Sequence, residues 1–514
     1  MTADLYPRAA ALIAANRWAD AAREIAPALA ADPSADVLEL AAEVSLHFGA
    51  YAEACELARR ATAALHAPLA AHAAVRTAQL LRRLELAPEL EKLFATQAVL
   101  GWPATLAAEM AVLASSASLF DQAAAISTRL LAAAPADPNA HYVAGLLAMF
   151  DGDRDRSLSH LGRALAIEPR MGNAHWLVAM QDEPAGAAAH VELMRKAMSG
   201  VVPGSEAEAY FRYSLHRRLH DLRRYPEAWD ELAAGWATQR RLEPYDIERD
   251  MQLFDALHRV QVESDGAAPQ PGEPRVIFIV GMFRSGTSLI ERVLTSHPDV
   301  VDGGETYQFT AAFRQAADSD GHGPIDLELV RRAAAVDFEQ VRERFMRYAR
   351  WRVGGRGVLT EKLPSNFLNI PYILRAMPDA TVVHLRRDPI DTCFSNLRTY
   401  FRGAAPYANA PDDMARYYVA YERLMTHLCQ QAPGRIVEVD YESFVGDADA
   451  GSRSLLEACG LDRVAENQVA RDHRSTTASA ADLGKGILRG RGGAWRPYAA
   501  QLKDLREVLD SATR

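Results

Sequence analysis

Apolar and small residues recur at three- and four-residue intervals through the first half of the chain, the spacing that turns one face of each helix toward a neighbour. The regime changes at the polar, glycine- and proline-rich stretch 263–274, which precedes a short β-branched run from Val276 to Val280. Further runs lie at Val358 to Thr360, Thr381 to Leu385 and Ile436 to Val439, with another strand ending near Asp302 and longer helical stretches between them. Such alternation predicts a parallel sheet with helices on both faces, whose ligands sit at the carboxyl ends of the strands. The chain reads as multidomain: an all-α unit over 1–262, a linker at 263–274 and an α/β unit over 275–514.

The all-α half carries a repeat. In 138–169, Gly145, Gly152, Ser157, Leu161, Ala164 and Pro169 fall where a tetratricopeptide repeat has Gly, Gly, Ala, a large apolar residue, Ala and Pro. Small residues let two antiparallel helices approach closely, and the proline stops the second helix before the next unit. One ~34-residue period earlier, Ala111, Ser118, Ala123 and Pro135 take the same places. Ala21, Ala28 and Pro33, then Ala50 to Ala54 with Ala61, continue the pattern toward the start, and Arg224 to Ala228 repeats its turn-to-helix signal. Residues 66–103 and 180–210 fit poorly and read as degenerate units. The expectation is an α-solenoid, with a plain helical bundle as the competing arrangement.

Composition narrows the function. At 49% hydrophobic and 24% charged residues the chain is ordinary globular material, and 514 residues exceed one core. A net charge of -10 and a pI near 5.9 argue against a nucleic-acid partner. Cys55, Cys393, Cys429 and Cys459 are scattered, so neither a zinc site nor a disulfide framework is implied. The N-terminal stretch lacks the basic start and apolar core of a signal peptide, and no run approaches the ~20 apolar residues of a membrane span. A cytoplasmic protein without membrane insertion is expected.

Chemistry gathers where the first β-branched run breaks into Gly281-Met-Phe-Arg284-Ser285-Gly286-Thr287-Ser288. A strand, a glycine loop and a helix opening near Thr287 make a phosphate cradle, because the free N–H groups and positive end of the helix attract an anion. A nucleoside-triphosphate P-loop has the same glycine spacing but follows it with lysine. Thr287 stands in that place, so the loop suits a donor needing less cationic reach than ATP. A P-loop kinase is the rival, marked by ATP binding and magnesium dependence.

Those residues, followed by Thr-Ser-His-Pro-Asp-Val and then Gly-Gly-Glu305-Thr, resemble the 5'-phosphosulfate loop of sulfotransferases, which use 3'-phosphoadenosine 5'-phosphosulfate (PAPS). The spacing to Glu305 is most similar to tyrosylprotein sulfotransferases and to bacterial proteins that join such a domain to tetratricopeptide repeats. Phe283 stands where the family usually has proline. The resemblance implies that Arg284, Ser285, Gly286, Thr287 and Ser288 hold the 5' end of the nucleotide. Arg387, after the strand at Thr381 to Leu385, and Ser395 on the next helix match the 3'-phosphate motif, where a planar guanidinium grips phosphate oxygens. Tyr441 matches a family tyrosine near the cofactor, with a packing tyrosine as the other reading. Arg489 and Gly490 open a Gly-x-x-Gly-x-Trp sequence similar to the loop that closes over the nucleotide, although Ala494 departs from the charged residue of relatives.

For catalysis the resemblance makes Glu305 the base that takes the acceptor's proton. Its alternative role is capping a helix that starts at Thr306. Lys362 is set apart in a chain whose other lysines are Lys92, Lys196, Lys485 and Lys503, and its ammonium is implied to reach the oxygen on which charge develops. The competing reading of Lys362 is an ion pair with Glu361 or another neighbour. Ser479 matches a serine that assists the transition state, and His297, His384 and His473 are alternative bases. The implied function is sulfuryl transfer from PAPS to a hydroxyl, favouring a protein or peptide tyrosine held by the repeats. Tyr307 stands where the tyrosylprotein branch has arginine, which keeps a glycan, lipid or small phenol acceptor open. A repeat scaffold with an inactive nucleotide-binding domain is the competing class. No metal is implied, since this donor has no triphosphate for magnesium to bridge. A homodimer is admitted as a further partnership.

Overall fold

The computed structural model describes residues 5–31, 33–65, 69–96, 101–181, 183–263, 272–321, 323–462 and 492–512. The first half is wholly helical: α1 (Leu5–Ala14), α2 (Trp18–Leu29), α3 (Ala35–His47), α4 (Tyr51–Ala63), α5 (Ala71–Arg83), α6 (Ala87–Thr96), α7 (Ala104–Ser116), α8 (Phe120–Ala133), α9 (Pro138–Phe150), α10 (Arg154–Ile167), α11 (Gly172–Gln181), α12 (Ala187–Met198), α13 (Glu206–Asp221), α14 (Tyr225–Leu242) and α15 (Ile247–Leu257). Helices α7, α9, α11 and α13 open at Ala104, Pro138, Gly172 and Glu206, spaced by the ~34-residue period. Neighbours pack as hairpins, α3 on α4, α7 on α8, α9 on α10 and α13 on α14, while α5 meets α7 and α7 meets α9. This is a stacked array and not a plain bundle.

Small residues mark the close approaches. A Cβ on Gly145 would lie 2.8 Å from Leu161 Cγ, and Ser157 Oγ donates to the Gly145 carbonyl at 2.7 Å. Asp137 caps α9 by accepting from the N–H groups of Asn139 and Ala140, with Pro138 in the first turn. The stretches that fitted the repeat poorly still form helices, because Val75, Leu81, Leu90, Val191 and Met194 remain buried.

Paired histidines recur from one unit to the next. His141 and His175 donate through Nε2 to the carbonyls of Pro135 (3.0 Å) and Pro169 (2.9 Å), so their Nδ1 atoms accept from His160 (3.1 Å) and His190 (2.9 Å). Burial lowers His190, helped by His175 and Arg218, to about 3, and burial with Arg398 and Arg217 does the same to His220. Both are neutral in the folded chain, whereas an unfolded histidine titrates near 6.5. Stability is therefore full above that value and falls as acid is added, by about 1.4 kcal/mol per pH unit per group down to the folded values. Thermal melts should drop steeply between pH 6.5 and pH 4 or so, and His190→Gln should flatten the slope.

The second half holds a parallel sheet in the order β2-β3-β1-β4-β5, built from β1 (Arg275–Gly281), β2 (Val300–Asp302), β3 (Val358–Glu361), β4 (Thr381–Arg386) and β5 (Ile436–Asp440). Its helices are α16 (Thr287–Thr295), α17 (Gln308–Ala317), α18 (Leu327–Arg332), α19 (Phe338–Val353), α20 (Ile370–Ala376), α21 (Pro389–Leu397), α22 (Pro411–Gln431), α23 (Tyr441–Gly446), α24 (Ala448–Ala458) and α25 (Lys503–Ala512). Strand β1 alternates its faces. Ile277 and Ile279 pack with Ile290 and Leu294 of α16, Phe444 of α23 and Leu455 of α24, while Val276, Phe278 and Val280 join a core that runs on into the helical array. All strand ends thus point to one edge, where the loops after β1, β2, β3 and β4 meet.

The array docks on this half at both of its ends. Gln308 Nε2 donates to the Glu85 carbonyl (2.9 Å), Trp351 Nε1 to Glu91 (2.9 Å) and Arg352 Nη1 to the Ser118 carbonyl (3.2 Å). Further along, Tyr213 bonds Asn409 (2.9 Å), Trp236 Nε1 bonds the Leu397 carbonyl (2.8 Å) and Arg240 pairs with Asp413 (2.7 Å). No described helix is long and apolar enough to cross a membrane.

Candidate active site

The loop after β1 is shaped by glycine where no other residue fits. Gly286 caps α16 at φ 110°, and a Cβ there would lie 2.7 Å from two carbons of the Tyr441 ring. A Cβ on Gly281 would meet the Leu385 carbonyl at 2.7 Å, so the loop is pressed between the ends of β1 and β4. Ser285 is buried and its Oγ has no hydrogen-bond partner. Thr287 and Ser288, also buried, occupy the first turn of α16, at the positive end of its dipole.

Arg387 reaches this loop from the end of β4. Its Nη1 donates to the Arg284 carbonyl at 3.1 Å, its guanidinium lies 4.7 Å over the Tyr441 ring, and its buried Nε has no partner. Arg284 Nε approaches Ser395 Oγ at 3.4 Å. The loop, Arg387, Ser395 and Tyr441 therefore form one continuous surface. Asn396 fastens it: Nδ2 donates to the carbonyls of Phe283 (2.6 Å) and Thr392 (2.9 Å). Nothing in the sequence pattern had marked Asn396, since an amide on a helix one residue past a candidate serine has no motif of its own.

Glu305 and Lys362 meet beside the cradle. Lys362 is fully buried, and its Nζ donates to Glu305 Oε1 at 2.6 Å while lying 3.5 Å from Glu291 Oε2. Burial alone would lower the ammonium's pKa, but Glu291 and Glu305 outweigh it and raise it. Glu291, on α16, is a residue the sequence reading missed; burial and then Asp302 push its carboxyl well above the usual range. Glu305, Arg284, Gly286, Thr287 and Ser288 line a cleft of about 230 Å³ together with Phe283, Pro364, Tyr400, Phe401 and Arg402.

One reading of these residues is corrected. Helix α17 begins at Gln308, with Tyr307 at its cap and no side-chain capping bond, so Glu305 caps nothing there and is spent on Lys362. The ion pair expected of Lys362 is present, but with Glu305 and Glu291 and not with Glu361, whose buried carboxyl accepts from Asn366 Nδ2 (3.3 Å) and is pushed by burial up to about 8. Of the alternative bases, His297 accepts the Asp299 N–H through Nδ1 (3.2 Å). His384 lies between β4 and α22, bonded to Tyr421 OH at 2.6 Å, and neither histidine lines the cleft. His384, Cys429 and Glu438 bring ligand atoms within 4.8 Å of one another, but the Arg386 guanidinium, 4.0 Å from Glu438, already opposes a cation there. Ser479, Arg489, Gly490 and His473 lie outside the described residues.

The repeat array touches the segment that carries Glu305. A Cβ on Gly304, where φ is 79°, would come within 2.6 Å of Ser118 Oγ from the turn between α7 and α8. The segment carrying Glu305 is thus held by β3 beneath, where Gly303 N donates to the Thr360 carbonyl (2.8 Å), and by the array above.

A lysine-free glycine cradle at the edge of a parallel sheet, with an arginine from the adjacent strand, defines a P-loop-like anion-binding α/β domain. Residues 274–466 match the model of the sulfotransferase family. An uncharacterised protein of Aquifex aeolicus is 26% identical over 344 residues, covering 62% of this chain and 44% of that protein. A putative protein-tyrosine sulfotransferase of Caenorhabditis briggsae is 26% identical over 179 residues, covering 33% of this chain and 60% of the relative. Thus the chain spans less than two thirds of the length of either. Among solved structures, the sulfotransferase domain of the Synechococcus PCC 7002 olefin synthase aligns over 47% of this chain and 98% of its own, at 18% identity and a TM-score of 0.26.

Proposed function

We propose that the chain transfers a sulfuryl group from PAPS to a hydroxyl acceptor, with a protein or peptide tyrosine as the favoured acceptor. The observation that carries this reading is the pair of buried atoms without partners, Ser285 Oγ in the loop and Arg387 Nε beside it. Buried polar atoms are nearly always satisfied, and two such donors around a helix N-terminus ask for an anion's oxygens. In this reading Ser285, Thr287, Ser288 and the α16 N-terminus hold the 5' end, while Arg387 and Ser395 hold the 3'-phosphate. Glu305 takes the acceptor's proton as the acceptor oxygen bonds sulfur. The bond from sulfur to the bridging oxygen breaks, its electron pair stays on the leaving phosphate, and Lys362 stabilises that charge.

The acceptor assignment draws on the likeness to the Caenorhabditis briggsae protein and on the array's direct contact with the Glu305 segment. Incubation of the protein with sulfur-labelled PAPS, a set of tyrosine peptides and lysate of the producing cell tests it. Label on tyrosine is expected; label confined to glycan, lipid or small phenols overturns the acceptor, and no transfer at all beside firm partner binding favours the scaffold. Gly286→Ala should weaken binding of adenosine 3',5'-bisphosphate by tenfold or more, ~1.4 kcal/mol, because the added methyl collides with Tyr441. Calorimetry of the variant against wild type reads this directly.

A further inference from the structure

Behind the cleft, Lys362 faces more carboxyls than the proposed reaction employs. Glu305 arrives from the loop after β2, Asp302 from the end of β2 and Glu291 from α16. Asp302 is already engaged, its Oδ1 accepting the Gly304 N–H at 2.6 Å. Glu291 lies beside Asp302, which together with burial raises its carboxyl, and both of its oxygens are buried; the cation it faces is the Lys362 ammonium at 3.5 Å. A buried carboxyl kept in that state is costly, and a helix surface would place it in water unless it served the lysine.

We propose that Glu291 is the positioning residue for Lys362, holding the ammonium toward the cradle when Glu305 releases it. This rests on the sulfotransferase reading. At rest the short contact of Lys362 is with Glu305. Once Glu305 receives the acceptor's proton, that contact loses its charge, and a fully buried ammonium would be left beside a neutral partner. Glu291 stays opposite it. Because α16 carries both Glu291 and the cradle residues Thr287 and Ser288, the helix sets the distance between the lysine and the bound anion. The groups facing Glu291 are Lys362 on β3's end, Asp302 on β2's end and Glu305 on the loop between β2 and α17. Burial beside these acids is what raises the Glu291 carboxyl, and its presence in turn helps raise Lys362.

The test is the release of adenosine 3',5'-bisphosphate from PAPS, followed with tyrosine peptides and with water as acceptor, for wild type, Glu291→Gln and Glu291→Leu. Glu291→Leu is expected to lower kcat by ~100-fold and Glu291→Gln by ~10-fold, the amide retaining one acceptor oxygen, with KM for PAPS and nucleotide affinity nearly unchanged. Glu291→Gln should also move the alkaline limb of the kcat profile, which reports Lys362, down by about one pH unit. Should Glu291→Leu fail to fold, Glu291→Gln decides alone. A folded Glu291→Gln protein with wild-type kcat and an unmoved alkaline limb overturns the proposal, as does a loss seen only in nucleotide affinity. If the wild type releases no product from PAPS, the sulfotransferase reading falls and this assignment falls with it; turnover that is indifferent to Glu291 sinks this assignment alone.

Discussion

Replacing Lys362 by methionine is expected to cut kcat by ~10²–10³-fold, the scale on which a single charge-stabilising donor acts. The same change should destabilise the fold, because the ammonium is fully buried between Glu305 and Glu291 and its removal strands both carboxyls. Losing one partner of a buried pair costs about 3–5 kcal/mol. The lower end applies here, since Glu305 is a quarter exposed and can regain water, while Glu291, whose carboxyl burial raises, can take up a proton once the ammonium is gone. Denaturant melts beside steady-state kinetics would register both losses. Lys362→Arg is no rescue, as the larger fork must fit where the lysine already has no exposed surface. Full turnover in Lys362→Met would remove the lysine from the chemistry.

Glu305→Ala should lower kcat by ~10²–10⁴-fold, the contribution of a positioned base. Nucleotide affinity should stay within about twofold, because the carboxylate spends itself on Lys362 and not on the Arg387 side of the site. The two measurements separate an enzyme from a scaffold. A catalytic base leaves binding and removes turnover, whereas a mere structural partner of Lys362 would leave the rate close to wild type after the pair is relieved by Glu305→Gln.

Much of the sheet could be read from the chain because parallel strands are buried on both faces and therefore show as unbroken β-branched runs. Val276 to Val280 is such a run, and the glycine break after it locates the cradle without any long-range information. The arginine at the end of β4 was legible for the same reason. Glu291 was not. An acid at its place on α16 looks like the solvent face of an amphipathic helix, and only the arrival of β3 with Lys362 puts it inside. A start of α17 at Thr306, with Glu305 as its cap, was too early, because the backbone here runs on to Tyr307 before turning. The units at 66–103 and 180–210 read as degenerate because their signature small residues are replaced while their buried leucines and valines persist. Docking of the array on the sheet half has no sequence signal at all. Ser118 and Gly304 meet through the fold, and a serine after a helix and a glycine in a loop are each unremarkable alone.

That meeting ties the placement of the Glu305 segment to the array's superhelical pitch. Any substitution that rotates one hairpin against the next shifts Ser118, and the displacement is delivered through Gly304 to the carboxylate next to it in the chain. A repeat array borrowed from another protein would have to match not only the docking contacts but the rise and twist accumulated up to α7.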